Sequence, residues 1–375
     1  MGTKHVDSRK TAHNNTGRTQ SERENRPHLG GARPRPRDCI GAKPRLAFPD
    51  PLADTKTGRE YEGGPETMRI AVVGAGSIGR RHHGNLETLG AKAVLIPYRD
   101  FQSDGGQLDG CDGIVIATAT QIRRPLIELA AARGLPFYVE KPLCHDRAEL
   151  AAIETAAAPV AERSMIGYMM RYHPAFRHLA RMDLSDIYRA RFEIGHDVRQ
   201  WRENWSFADS YAARSGGGGV LLDLCHELDM AVTLFPALAP DSVTSLGHDR
   251  YPGVDFSDEI ALSGGNAAAT VSMDYLSPAF LRRLNLRGTT HTVEFDLHAE
   301  NYLIATHGVW EQLSLPFERN AMFLAAMADF LALIAGEKVS DVEHLPRFDL
   351  ALPSARRIVE AYEARHFTGT IAGDY

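Results

Sequence analysis

The feature that most constrains the fold is a short apolar run closed by glycines. Met68-Arg69-Ile70-Ala71-Val72-Val73 is followed by Gly74-Ala75-Gly76-Ser77-Ile78-Gly79. A run of this length ending in glycine reads as a buried strand, and residues 78–89 continue as a helix. Strand, GxGxxG and helix in that order form the dinucleotide fingerprint. Gly74 permits the tight turn, Gly76 lets a pyrophosphate approach the backbone, and Gly79 lets helix and strand pack closely. Ser77 and Ile78 open the helix, whose free N–H groups face the anion. The residue that reads the ribose falls about 20 positions on, in Pro97-Tyr98-Arg99-Asp100. Tyr98 occupies the usual acid position. Arg99 beside it can pair with a 2′-phosphate and stack on adenine. This favours NADP, while Asp100 leaves NAD open.

Residues 92–100, 111–120, 135–143 and the start of 164–174 read as further strands, with helices at 126–133 and 148–158 between them. Strands alternating with helices predict a parallel, doubly wound α/β sheet. From about residue 187 the period changes. Residues 188–195 alternate. Val271, Met273 and Tyr275 alternate with Thr270, Ser272 and Asp274, and Val293, Phe295 and Leu297 repeat the pattern. Period two with one polar face predicts a largely antiparallel sheet open on one side. Helices are expected at 220–235, 320–335 and 352–365. The chain has 375 residues, which at roughly 100–200 per domain allows two domains or one large one, and the change of period predicts two. These are a Rossmann domain at 68–186 and an α+β domain at 187–375 for substrate binding and oligomerisation, as a homodimer or homotetramer.

Residues 1–67 are unlike the rest. They hold 13 Lys/Arg against 9 Asp/Glu, while the remainder holds 29 against 39. Rich in Arg, Pro, Gly, Asn and Thr and without apolar periodicity, they read as a disordered basic extension, with Met68 as the working start. An acidic body is a poor surface for nucleic acid, which binds through neutralised phosphates. Cys39, Cys111, Cys144 and Cys225 form no CxxC pair and no zinc spacing, and HExxH is absent, so no metal is expected. Scattered cysteines fit a reducing cytoplasm. The longest apolar stretch, 321–335, is too short for a membrane span and contains Asp329.

The chemistry-bearing residues cluster in three places. Glu140-Lys141-Pro142 ends a strand, where open α/β sheets bind their ligands. A lysine there can exchange a proton with a substrate hydroxyl. The second place is Ser215 to Gly219, a glycine run that precedes a helix carrying Asp223 and His226. Three residues apart, they project from one side, so the carboxylate can orient the imidazole. The third is a group of candidate substrate contacts. Arg171 and His173 share one strand face by period two. Trp201, Trp205 and Tyr211 crowd one polar loop, and flat aromatic faces suit sugar rings.

The combination GAGSIGRRH, ATAT, VEKPL and GGGVLLDLCHELD resembles the Gfo/Idh/MocA oxidoreductase family over residues 68–375. The resemblance implies a Rossmann domain joined to a sheet-based substrate domain. It also implies NAD(P)-linked redox chemistry on sugars, inositols or nucleotide sugars. It makes Lys141 the acid–base lysine, His226 the second proton-handling residue and Asp223 its partner. Thr118 and Thr120 of ATAT, with Glu140, join the cofactor contacts. The sequence departs from the family in three places. Asp223-x-x-His226 replaces Asp-x-x-x-His, Ala119 replaces a proline, and Arg123 replaces a histidine. The stretch from MRYHP to LCHELD is most similar to the branch of surface-polysaccharide and sialic-acid-like sugar pathways.

The expected function is hydride transfer between a nicotinamide and a carbinol or keto carbon of a sugar-like small molecule, with no nucleic-acid or membrane partner. Two alternatives stand beside it. One is a non-catalytic sensor of dinucleotide or sugar on the same fold. The other is a reductase of an imine or tetrapyrrole, which an apolar cleft lacking Arg171 and His173 would favour.

Overall fold

A computed structural model describes residues 68–200, 206–339 and 343–375. The expectation for residues 1–67 lies outside the described residues. The first sheet holds β1 (Arg69–Val73), β2 (Lys92–Ile96), β3 (Gly113–Ile116), β4 (Phe137–Val139) and β5 (Met165–Ile166). All its pairings are parallel, in the order β2-β1-β3-β4-β5. Residues 70–73, 114–116 and 137–139 are wholly buried, as expected of a sheet covered on both faces. The covering helices are α1 (Ser77–Thr88), α2 (Arg123–Ala132) and α3 (Arg147–Ala157).

The fingerprint turn is as tight as its glycines require. A Cβ on Gly79 would stand 1.8 Å from the Gly74 carbonyl oxygen, so α1 closes on β1 only with glycine there. The strand expected at 92–100 stops at Ile96, because Pro97 leads into a single 3-10 turn at Tyr98–Asp100. Residues 164–174 open with a strand, as expected, but it is short and does not reach Arg171 or His173. β5 is two residues long, Met169–Tyr172 forms a 3-10 turn, and Pro174 opens α4 (Pro174–Ala180).

From β6 (Ile187–Gly195) onward the strands build a second sheet. It contains β7 (Ala239–His248), β8 (Tyr251–Gly264), β9 (Ala267–Asp274), β10 (Leu281–Gly288), β11 (His291–Asp296), β12 (Asn301–Thr306), β13 (Val309–Leu313) and β14 (Arg365–Ile371). The order is β13-β12-β11-β10-β6-β9-β8-β7-β14. It is largely antiparallel, with β6–β9 and β7–β14 parallel. One face is apolar and buried through Phe192, Val271, Leu284, Val293 and Phe295. Helices lie against that face: α5 (Val220–Asp223), α6 (His226–Leu234) and α8 (Phe348–Glu363).

Two helices of the second half return to the first sheet. Phe348 of α8 packs edge-on against Phe137 of β4. In α7 (Arg319–Ala335), Asn320 and Asn85 of α1 exchange hydrogen bonds of 2.9 and 3.4 Å. Among the described residues, no helix is long and apolar enough to cross a membrane.

Two glycines of α1 give opposite expectations. Gly79→Ala lowers the urea unfolding midpoint by the equivalent of about 1–3 kcal/mol, through overpacking. Gly84 is exposed in mid-helix, and nothing lies within 4 Å of the place where an alanine methyl would stand. Gly84→Ala therefore raises stability by about 0.5–1 kcal/mol. Equal midpoints for Gly79→Ala and the unaltered chain would refute the close approach.

Candidate active site

The N-terminus of α1 is open to an anion. Its N-cap is Gly76, no side chain caps it, and no acid occupies its first turn. Gly76 and Ser77 are exposed there, and Ile78 is half-buried behind them. A surface pocket beside it is lined by Gly74, Arg80, Tyr98, Arg99, Thr118 and Ile122. The Thr118 hydroxyl is buried without a hydrogen-bond partner, and the Arg99 side chain is 86% exposed. A glycine cradle, uncapped N–H groups, an orphaned hydroxyl and two guanidinium groups fit the phosphates and ribose of a dinucleotide. Arg80 is a pocket residue that the sequence pattern did not single out. Thr120, by contrast, is buried away from solvent.

Glu140 and Lys141 leave β4 toward different partners. Glu140 is buried and bonded to His82 of α1 at 2.7 Å. Burial alone raises its carboxyl. The His82 hydrogen bond, with the charges of His82, Lys141 and Arg123, outweighs burial and holds it below the usual range. It therefore ties the strand end to the fingerprint helix. Arg123 supports the same end, donating to the carbonyls of Thr118 and Pro142.

Lys141, 17% exposed, donates its Nζ to the Asp223 carbonyl oxygen at 2.5 Å and lies 3.7 Å from Asp223 Oδ1. The carboxylate of Asp223 also accepts the hydroxyls of Tyr211 and Tyr275, the latter at 3.2 Å. Burial and then the Asp223 charge push the Tyr275 hydroxyl well above its ordinary pKa, so it stays a donor. Tyr275 was legible only as a member of an apolar strand face. Its partner is 52 residues away in sequence.

The expected pairing of Asp223 with His226 is not formed. Residues 220–235 are not one helix: α5 ends at Asp223 and α6 starts at His226, with Leu224 and Cys225 as a break. The break removes the shared face that three-residue spacing confers on a continuous helix. Gly219 sets the start of α5. Its φ is +98°, and a Cβ there would meet the Asp255 carboxylate, which accepts the Leu221 N–H at 2.8 Å. His226 is nearly buried, and its Nδ1 has no hydrogen-bond partner. Burial, then the charges of Lys141 and Arg282, hold its pKa well below the ordinary value. The ring is neutral at neutral pH.

Arg171 and His173 do not share a strand face. Arg171 lies in the 3-10 turn, and its guanidinium is buried against Asp229 at 2.6 Å and Ser354 at 3.1 Å. Its donors are committed to the core. His173 is the N-cap of α4, where its Nδ1 accepts the Ala175 N–H at 3.1 Å. Tyr211 reaches the centre through Asp223 rather than by facing a ligand with its hydroxyl. Trp201 and Trp205 lie outside the described residues.

No protein-family model matches the chain. The rhizopine catabolism protein MocA of Rhizobium meliloti is 31% identical over 188 residues, 43% of this chain and 55% of that protein. The scyllo-inositol 2-dehydrogenase (NAD(+)) of Bacillus subtilis is 26% identical over 220 residues, 51% of this chain and 60% of the relative. The matched segments thus span less than two thirds of these relatives' own lengths. Among solved structures, UDP-N-acetylglucosamine 3-dehydrogenase from Acidithiobacillus ferrooxidans superposes with a TM-score of 0.64 at 20% identity, covering 79% of this chain and 95% of that one. A 3-ketoreductase from Actinomadura kijaniata, solved with NADP and TDP-benzene, gives 0.62 at 17% identity, covering 80% and 99%. The chain is thus similar in sequence to Gfo/Idh/MocA-type oxidoreductases over part of its length and shares their fold.

His173 makes stability depend on pH. Burial, then the charge of Arg282, lowers its pKa to about 3. Between that value and roughly 6.5 the unfolded imidazole binds a proton that the folded one refuses, so stability falls as pH drops, by up to about 1.4 kcal/mol per pH unit. His226 acts in the same direction. His173→Asn keeps a capping acceptor and removes the titration. Its Tm should decline less than the parent's between pH 6.5 and 4. An unchanged slope would take His173 out of the account.

Proposed function

We propose that this chain is an NAD(P)-dependent oxidoreductase acting on a carbinol or keto carbon of a sugar-like substrate. The observation that carries the reading is the juxtaposition of three groups below the dinucleotide fingerprint. They are Lys141 at the strand end, its carboxylate partner Asp223, and the neutral ring of His226, close enough to feel the lysine's charge. A bound nicotinamide dinucleotide supplies the hydride chemistry. Gly74 to Gly79 would hold its pyrophosphate, and Tyr98, Arg99, Arg80 and Thr118 its adenosine end. The relatives' names agree with this reading: they include an inositol dehydrogenase, a nucleotide-sugar dehydrogenase and a ketoreductase.

The protein's share is position and proton transfer. Lys141 exchanges the proton of the reacting hydroxyl. Asp223 holds the lysine in place, and the hydroxyls of Tyr211 and Tyr275 stabilise the carboxylate's charge. His226, uncharged and unpartnered at Nδ1, offers a hydrogen bond to the same substrate oxygen without adding positive charge beside Lys141. Arg99 and Arg80 favour a cofactor bearing a 2′-phosphate, so NADP is the preferred dinucleotide. Arg171 and His173 take no part, because one is a core ion pair and the other a helix cap.

Two measurements test the reading. Lys141→Ala reduces turnover by roughly 10²–10⁴-fold, the usual worth of acid–base catalysis, while NADPH still binds. Near-normal turnover would remove the lysine from its role. In fluorescence titrations NADPH binds more tightly than NADH, and Arg99→Ala abolishes the preference. If neither dinucleotide binds, the fingerprint reading fails. Tight binding without turnover on any sugar or polyol favours the sensor.

A further inference from the structure

The glycine run Ser215 to Gly219 touches both halves of the fold. β3 leads through Thr118 and Ala119 into a single 3-10 turn, Thr120–Ile122. Thr118, Ala119 and Ile122 line the dinucleotide pocket. Gln121, in the same turn, donates its side-chain amide to the Gly216 carbonyl at 2.7 Å, across 95 residues of sequence. Gly217 has φ +85°, and a Cβ there would stand 2.8 Å from the Gln121 amide nitrogen and 3.1 Å from His145 Nδ1. Glycine at 217 is therefore what lets the run pass so close to the turn.

The second half of the fold holds the run as well. The Tyr362 hydroxyl of α8 donates to the Ser215 carbonyl and accepts the Gly217 N–H, each at 3.2 Å. Arg365 lies over the Tyr362 ring, 3.4 Å from its centroid, and pairs with Asp255. Asp255 in turn accepts the Leu221 N–H of α5.

The run carries α5, and α5 carries the lysine's partner. Only four residues long, α5 ends at Asp223, whose N–H donates to the Gly219 carbonyl at 3.2 Å. Lys141 is bonded to the backbone oxygen of Asp223 as well as facing its carboxylate. The position of the amine therefore follows the backbone of α5, and any shift of the run moves that oxygen.

We propose that Gln121 is a positioning residue that couples the dinucleotide pocket to the Lys141–Asp223 pair through the glycine run. A dinucleotide against Thr118, Ala119 and Ile122 fixes the turn, the turn fixes Gln121, and Gln121 holds the run and α5 behind it. Coupling of this kind travels through contiguous hydrogen bonds and packed backbone. A ligand that orders one end lowers the cost of ordering the other. This rests on the oxidoreductase reading and adds a link between its cofactor and proton-transfer sites.

The test is hydrogen–deuterium exchange on the full chain, with and without saturating dinucleotide, NADPH or NADH as the parent prefers. Gln121 is exposed, so Gln121→Met keeps the fold and a side chain of similar length while losing the donor. Gln121→Lys restores a donor. In the parent, dinucleotide slows exchange at the amides of Leu221, Asp223 and Leu224. In Gln121→Met the dinucleotide binds within about twofold of the parent affinity, but the slowing falls by about three- to tenfold, the worth of one hydrogen bond. Gln121→Lys recovers part of it. Four results overturn the proposal. They are an unprotected α5 in the parent, dinucleotide-dependent slowing unchanged in Gln121→Met, faster exchange there by the same factor with and without dinucleotide, and lost affinity in that variant. The third would make Gln121 a purely structural contact, and the fourth would assign it to the cofactor site. A parent chain that binds neither dinucleotide is a distinct result, and it strikes the oxidoreductase reading together with the coupling.

Discussion

The site depends on two adjacent side chains that leave the end of β4 toward different elements. Glu140 turns back to His82 on the fingerprint helix, and Lys141 reaches forward to Asp223 on α5. A strand end presents successive side chains to opposite sides, and here each side belongs to a different half of the fold. One dipeptide thereby fixes the lysine relative to both the glycine turn and the second sheet. A partly buried Lys–Asp pair alone gains little, because desolvation offsets Coulomb attraction. The added hydroxyls of Tyr211 and Tyr275 satisfy the remaining carboxylate capacity, which makes the pair a stable fixture.

The parts of this arrangement that are local were readable from the sequence. GxGxxG between an apolar strand and a helix announces a turn that only glycines allow, and the approach of Gly79 to Gly74 has that form. The switch from alternating strand and helix to period-two strands near residue 187 matches the division into two sheets. The long-range parts were not readable. Tyr275, just past the end of β9, looks like any inward residue of an alternating strand, and nothing in its neighbourhood names Asp223 as partner. Arg171 looks like a polar residue on a strand, whereas its counter-charge Asp229 lies 58 residues on. Spacing also misled where a helix broke. Three residues separate Asp223 from His226, but the break at Leu224 and Cys225 puts them in different helices and gives the aspartate to the lysine.

That reassignment changes the electrostatics of the centre. An aspartate on the imidazole would favour the charged ring. Without it, burial and the nearby cations keep His226 neutral. Under the proposed function, Lys141 exchanges the proton of the substrate oxygen, and a neutral imidazole beside it orients that oxygen without raising the local charge.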